Sequence, residues 1–126
     1  MIKFKSLNQS KEFLKILKKK KINTKYFTIY FGKNSKVAQN NINKCLNISF
    51  VMKKKIGNAV IRNKIKRKLK FAVQRISKDN ELIDLSYTYI VFGKNNVYKD
   101  KFLNVLGEVS KTFKQIKLTG SKLWKY

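Results

Sequence analysis

The positive charge of this chain constrains its folding more than any other feature of the sequence. Its 126 residues include 31 lysines and arginines against 6 aspartates and glutamates, a formal net charge of +25. Repulsion on this scale opposes a compact state unless a polyanion screens it. Hydrophobic residues nevertheless make up 43% of the chain, which is enough apolar surface to offset the ordering entropy and argues against a disordered basic tail. We therefore expect one folded domain that binds a nucleic acid.

Several classes of site are excluded by residues that the chain lacks. Cys45 is the only cysteine and there is no histidine, so neither an intrachain disulfide nor a zinc or Cys/His catalytic site can form. The few carboxylates form no recognisable catalytic or metal-binding motif, which predicts no catalytic centre and no metal site in the protein itself. These carboxylates are Glu12, Asp79, Glu81, Asp84, Asp100 and Glu108.

Localisation is predicted from hydropathy. No apolar segment follows Lys3 and Lys5 as a secretory signal requires, and no apolar run is long enough to cross a bilayer. We expect a cytoplasmic protein. Binding to an anionic membrane surface stays open, although the positive charge is not confined to one amphipathic helix.

Hydrophobic periodicity and strand alternation give a mixed set of helices and strands, with no linker or repeat that would mark a second domain. We interpret residues 18–21 as a basic turn, residues 34–44 as a loop or irregular strand, and residues 115–126 as a basic tail in which Leu123, Trp124 and Tyr126 dock on the domain. The predicted helices are residues 10 to about 20, capped by Asn8 or Ser10, residues 58–76, and about 98–113; the predicted strands are residues 26–31, 46–52 and 87–92.

The first predicted strand offers a candidate ligand face. Phe27, Ile29 and Phe31 form its apolar side, which leaves Thr28 and Tyr30 on the other. With Phe13 and Leu17 of the preceding helix, these two side chains could line an aromatic cleft, a term used below for Phe13, Leu17, Thr28 and Tyr30. Such a cleft could hold unpaired bases. The alternative is that Phe13 and Leu17 are ordinary core residues.

The segment from Lys53 to Lys70 carries the strongest functional pattern. Gly57 is expected to permit a turn closed to other residues, and Asn58 to cap a helix whose free backbone N–H groups favour an anion. The chain has only three arginines, and two of them, Arg62 and Arg67, fall here, where a guanidinium can bind phosphate bidentately. A solvated charged face is the alternative. The predicted RNA contacts are Lys53, Lys54, Lys55, Asn58, Arg62, Lys66 and Lys70.

Residues 54–67, KKIGNAVIRNKIKR, resemble the signature of the bacterial ribonuclease P protein subunit, and a weaker resemblance covers most of the chain. The resemblance implies an α+β fold of order αβββαβα, with a left-handed βαβ crossover around the signature helix. It adds Asn63, Lys64 and Arg67 to the RNA contacts and assigns the aromatic cleft to the single-stranded leader. The sequence departs from the family pattern at Lys64, Leu17, Ser49 and Gly93, and Lys94 could supply the arginine charge expected at Gly93.

The resemblance also implies the function. The family partners a large catalytic RNA, and the holoenzyme removes the 5′ leader of precursor tRNA. Chemistry then belongs to the RNA and to Mg²⁺ bound mainly by that RNA, while the protein raises substrate affinity and helps metal sites form. No small-molecule substrate and no membrane partner are expected. A structural or ribosomal RNA-binding protein and a protein-only nuclease remain the alternatives.

Overall fold

A computed structural model describes residues 3–6, 10–33, 45–78 and 82–122. Strands, helices and one short 3₁₀ turn alternate along this part of the chain. In order they are β1 (Lys3–Lys5), α1 (Ser10–Leu17), β2 (Lys20–Asn23), β3 (Phe27–Lys33), β4 (Cys45–Val51), the 3₁₀ turn (Lys54–Ile56), α2 (Ala59–Ile76), β5 (Tyr87–Gly93), α3 (Asn95–Lys99) and α4 (Phe102–Lys122).

The strands form one mixed sheet of five strands in the order β1-β4-β5-β3-β2. β5 pairs parallel to β4 and antiparallel to β3, while β1 adds parallel to β4 and β2 adds antiparallel to β3. The chain therefore crosses from β4 to the adjacent parallel strand β5 through α2. The α+β prediction and the αβββαβα order are confirmed, with β1 and α3 as additions; the left-handed sense of the crossover stays a prediction.

The main core lies between one face of the sheet and the helices α2 and α4. Phe27, Ile29 and Phe31 of β3 are buried there, as the alternation predicts. α2 buries Ile65 and Leu69 at helical spacing in the same core, together with Ala72, Val73 and Ile76. The basic residues of α2 are consequently left on its flanks and outer side.

Helix α1 covers the opposite face of the sheet. It contacts β3 and β5, and its buried residue Ile16 packs over Gly32, where an added Cβ would lie 3.1 Å from Ile16 Cδ1 and 2.9 Å from Lys19 Cγ. Residues that alternate away from the main core, such as Thr28 and Tyr30, therefore lie on the α1 side. The sheet thus separates α1 from α2.

Two regions differ most from the sequence prediction, because of pairing and packing. The first helix ends at Leu17, and part of the predicted basic turn is strand β2, which is held by its register with β3. The predicted helix of residues 98–113 is two helices that meet at Asp100, and α4 continues to Lys122, so most of the predicted tail is helical. Predictions for Asn8, residues 34–44, Asp79, Glu81 and the last four residues lie outside the described residues.

In the described part of the chain, no helix combines the length and the apolar character needed to cross a membrane.

Candidate nucleic-acid interface

The start of α2 is fixed by a side-chain cap. Asn58 Oδ1 accepts a hydrogen bond from the backbone N–H of Ile61 at 3.0 Å, which confirms the predicted cap. The prediction for Gly57 is wrong: its backbone is extended, with φ 160° and ψ −170°. A glycine fits here because an added Cβ would lie 3.3 Å from three side-chain atoms of Ile61, so its role is close packing rather than a special turn.

The three lysines before α2 are all exposed, but they do not form one group. Lys54 and Lys55 lie in the 3₁₀ turn that leads into the helix. Lys53 instead lies with its Nζ 5.7 Å from the centroid of the Phe92 ring. Phe92 alternates away from the main core, so Lys53 belongs with the α1 side of the sheet.

Arg62, Asn63 and Lys66 line one small cavity at the first turns of α2, together with Phe50, Met52 and Ala59. The cavity has a volume of about 240 Å³. Arg62 is half-buried, and its Nε is a buried donor with no hydrogen-bond partner among the described residues. A buried donor without an acceptor is costly, and a phosphate oxygen is the acceptor that a guanidinium binds best. We call Arg62, Asn63 and Lys66 the arginine flank.

Lys64, Arg67 and Lys70 are exposed and line a different concavity, on the side of α2 that faces α4. Lys64 Nζ lies 5.8 Å from the centroid of the Tyr98 ring of α3. The residues that the sequence predicted as one RNA contact are therefore divided between two sides of the same helix.

The four residues of the predicted aromatic cleft belong to α1 and to the face of β3 that α1 covers. Phe13, Leu17, Thr28 and Tyr30 are all half-buried, so none is a fully buried core residue. Thr28 Oγ1 donates to Asn23 Oδ1 at 2.8 Å, and the Tyr30 ring meets the Phe92 ring edge-on at 5.5 Å. The geometry leaves partly exposed apolar faces beside polar groups.

Sequence reasoning missed Phe92 and Lys21 beside this cleft, whereas Lys94 was already expected to supply a charge after the strand. Lys21 Nζ lies 6.0 Å from the centroid of the Tyr30 ring. Lys94 donates from Nζ to the carbonyl oxygen of Thr24 at 2.7 Å and also to Asn23 Oδ1. The β5 sequence YTYIVFG has no clear alternation, so the pairing of Phe92 with Thr28 is what places it on the α1 side. Lys21 could not have been found from the sequence either, since its position depends on the pairing of β2 with β3.

One polar contact fixes the corner between α3 and α4. The hydroxyl of Tyr26 donates to Asp100 Oδ2, and Lys25 Nζ lies 3.7 Å from the same oxygen. The hydrogen bond to the carboxylate raises the pKa of Tyr26 to about 12, and the same bond holds the pKa of Asp100 below its usual value. Lys68 of α2 also donates to the carbonyl oxygen of Asp100, so this corner is joined to both the sheet and the signature helix.

Comparison with known proteins identifies the family. The Ribonuclease P family model matches residues 1–117. The ribonuclease P protein component of Mycoplasma mycoides is 32% identical over 107 residues, which cover 84% of this chain and 90% of that protein. The corresponding protein of Carboxydothermus hydrogenoformans is 28% identical over 118 residues, covering 93% and 95%.

Solved structures agree in fold. A variant of the Staphylococcus aureus ribonuclease P protein with defective mRNA degradation activity has a TM-score of 0.71 at 23% identity, covering 89% of this chain and 87% of that one. The ribonuclease P protein from Thermotoga maritima has a TM-score of 0.66 at 21% identity, covering 88% and 96%. With the family model matching most of the sequence, the chain belongs to the ribonuclease P family as a protein component of this tRNA-processing ribonucleoprotein.

Proposed function

We propose that this chain binds the catalytic RNA of ribonuclease P through α2 and the 5′ leader of precursor tRNA through the aromatic cleft. In this proposal the RNA catalyses bond cleavage, and the complex acts in the bacterial cytoplasm. The observation that carries the proposal is the buried Nε of Arg62, which has no partner among the described residues and borders a cavity with Asn63 and Lys66.

The arginine flank suits a folded phosphate backbone. The guanidinium of Arg62 presents donors in a fixed fork, and Lys66 follows one turn later on the same side of α2. A phosphate oxygen at the cavity would satisfy Arg62 Nε, and the ammonium of Lys66 would compensate the charge. Lys54 and Lys55 extend the positive surface to the start of the helix, where the free N–H groups attract anions.

The aromatic cleft suits an unpaired strand. Tyr30 and Phe92 offer ring faces for bases, and the ammonium groups of Lys21 and Lys53 lie 6.0 Å and 5.7 Å from these rings. Rings that alternate with cations bind single-stranded RNA with little dependence on sequence, because every base can stack and every nucleotide carries a phosphate. This matches a leader, whose sequence differs from one tRNA precursor to another.

Magnesium is assigned to the RNA partner. Mg²⁺ prefers carboxylate oxygens among protein ligands, and no group of three or more His, Cys, Asp or Glu side chains able to hold a metal occurs within residues 3–6, 10–33, 45–78 and 82–122. The protein contributes by binding substrate and by neutralising RNA phosphates, which favours the folded RNA around its own metal sites.

Reconstitution tests the proposal. The protein is mixed with a bacterial ribonuclease P RNA and a precursor tRNA at low magnesium concentration, where we expect it to stimulate release of the 5′ leader. No stimulation would contradict the proposal and leave a structural RNA-binding role. Cleavage by the protein without RNA would show instead a nuclease of its own.

The leader contact is tested separately by measuring affinity for two substrates, one with a leader and one without. Tyr30→Leu should lower affinity for precursor tRNA while leaving the affinity for mature tRNA unchanged, because only the precursor reaches the aromatic cleft. Leu118→Gln, at an exposed apolar position near the end of α4, is the matched control. Equal losses for both substrates would place Tyr30 outside the leader path.

A further inference from the structure

A second cavity in the described part of the chain lies outside the arginine flank and the aromatic cleft. It is a groove of about 600 Å³ between the side of α2 that faces away from the arginine flank and the start of α4. This volume is in the range of pockets that hold small organic ligands, about 300–1,000 Å³. The groove, called here the α2–α4 groove, is lined by Lys64, Arg67, Lys68, Lys70, Phe71, Gln74 and Phe102.

The floor of the groove is formed by two aromatic rings, those of Phe71 and Phe102. Phe71 is 55% exposed in the middle of α2, and its ring centroid lies 5.3 Å from that of the half-buried Phe102, with 56° between the rings. Tyr98 of α3 is 45% exposed, and its ring centroid lies 5.8 Å from Nζ of the lining residue Lys64. Phe71 is not needed for the main core, which α2 already fills from its other side, so the ring is available to a ligand.

The walls are cationic. Four of the seven lining residues are lysine or arginine and none is acidic. The nearby carboxylate of Asp100 is engaged by Tyr26 and Lys25, and the ammonium of Lys68 is held by the Asp100 carbonyl. Arg67 and Lys70 remain exposed with long side chains at the mouth of the groove. An occupant must therefore be an anion with a flat apolar part.

We propose that the α2–α4 groove binds an unpaired nucleotide of an RNA strand, with its base against Phe71 and Phe102 and its phosphate at Arg67 and Lys70. A nucleotide combines a stacking face with a phosphate and so uses both halves of this lining. The site deepens the proposed function, because Arg67 and Lys70 belong to α2, the helix proposed to bind the catalytic RNA, while the groove is separate from the arginine flank and the aromatic cleft. It rests only on the binding of RNA by the chain.

Fluorescence reports occupancy of the groove directly. The chain has one tryptophan, Trp124, so a Phe71→Trp substitution in a Trp124→Phe background places the single indole on the groove floor. Titration of the free protein with hexauridylate should quench this indole, because a stacked base lies against it. Leu118→Trp in the same background is the control and should stay unquenched. Equal quenching of both, or of neither, would overturn the proposal.

Measurements of affinity for hexauridylate separate the contribution of base stacking from that of phosphate binding. Phe71→Gln should weaken hexauridylate binding about fivefold or more, the effect of losing one base stack, without changing the salt dependence. Arg67→Gln should lower the salt slope. To remove the contribution of the aromatic cleft, both are compared in a Tyr30→Leu background. Unchanged affinity in Phe71→Gln would contradict the proposal.

Two further outcomes would identify a different occupant. Quenching by polyphosphate as strong as that by RNA would mean that the groove binds anions without a base. A change in the indole signal with protein concentration, in the absence of RNA, would mean that a second copy of the chain occupies the groove. Either result overturns the nucleotide assignment, while reconstitution of leader cleavage still tests the proposed function independently.

Discussion

At the scale of single residues, Arg62 differs from the surrounding lysines in that burial fixes its position. Its Nε is buried and has no acceptor among the described residues, whereas most lysines here are exposed. We expect Arg62→Ala to weaken binding to ribonuclease P RNA and to flatten the plot of log affinity against log salt by about 0.7–0.9 per lost phosphate contact. Filter binding over a salt series measures both quantities.

The control for this prediction is another arginine of the same helix. Arg75 is exposed in the last turn of α2 and lines neither cavity, so Arg75→Ala should leave the salt slope closer to that of the parent protein. Arg62→Lys should keep the slope and still lose affinity, because it keeps the charge without the fork. A slope unchanged by Arg62→Ala would mean that Arg62 meets no phosphate.

The Tyr26–Asp100 pair predicts a pH dependence. Its hydrogen bond raises the pKa of Tyr26 from 10.0 to about 12 and lowers that of Asp100 from 3.8. The pair therefore stabilises the fold fully between about pH 4 and pH 10. This contribution is lost as pH falls through the depressed pKa of Asp100, and also as it rises from about 10 through the raised pKa of Tyr26.

Tyr26→Phe isolates this contribution. The difference in free energy of unfolding between the parent protein and the variant should be constant from about pH 5 to pH 9 and should shrink beyond both limits. Urea unfolding at a series of pH values measures the difference. A difference that persists unchanged at pH 2 or so would mean that the lost contact is packing of the ring rather than the hydrogen bond.

A site residue could be predicted from the sequence when its contacts are with residues close to it in the chain. Asn58 caps α2 through a contact three residues away, and spacing alone identified it. Phe71 and Phe102 come together only when α4 packs on α2, so no local pattern pairs them. Lys53 was grouped with Lys54 and Lys55 by sequence, but the direction of its side chain over Phe92 depends on the sheet.

At the scale of elements, two glycines differ in the space around them, since Gly93 is tightly packed and Gly107 is open. Gly93 ends β5 beneath α2, and an added Cβ would lie 2.5 Å from Met52 Sδ and 2.8 Å from Ile65 Cγ2. Gly107 lies inside α4 with no heavy atom within 4 Å of the corresponding position. We expect Gly93→Ala to destabilise the fold by about 1–3 kcal/mol through overpacking, and Gly107→Ala to stabilise it by about 1 kcal/mol through helix propensity.

Chemical unfolding of the two alanine variants side by side measures both effects. The free energy of unfolding should therefore fall in Gly93→Ala and rise in Gly107→Ala. This comparison separates packing against β5 from the general effect of an added methyl group. Stabilisation by Gly93→Ala would mean that α2 can shift away from the end of β5.

The elements that could be predicted are those with their own hydrophobic pattern. α2 and β3 were recognised because periodicity and alternation are present in 59–76 and 27–33, and β5 because 87–93 is rich in aromatic and β-branched residues. β1 and β2 are short and lysine-rich, and they are strands because they pair with β4 and β3. Their conformation comes from the partner strand. The break at Asp100 was missed for a similar reason, because it is fixed by Tyr26 and Lys68 from distant parts of the chain.

At the scale of the whole molecule, the sheet holds two basic surfaces apart. The aromatic cleft and its lysines lie on the α1 side, whereas the arginine flank and the α2–α4 groove lie on the α2 side. A small protein arranged in this way can contact more than one RNA segment at once. This arrangement suits a subunit that joins a leader strand to a folded RNA.

The same charge distribution predicts that anions stabilise the fold. With a net charge of +25 on 126 residues, repulsion opposes compaction, and raising the ionic strength from about 0.01 M to 0.15 M shortens the Debye length from about 30 Å to 8 Å. The melting temperature should rise over this range in sodium chloride.

An RNA that binds the native state should raise the melting temperature further at equal ionic strength. At one hundred times its dissociation constant, such an RNA adds about 2.7 kcal/mol to the free energy of unfolding. Calorimetry with Arg62→Ala as the comparison separates the two effects: the variant should keep most of the salt response and lose part of the RNA response. A melting temperature that does not change with salt would mean that the lysines lie too far apart to repel one another strongly.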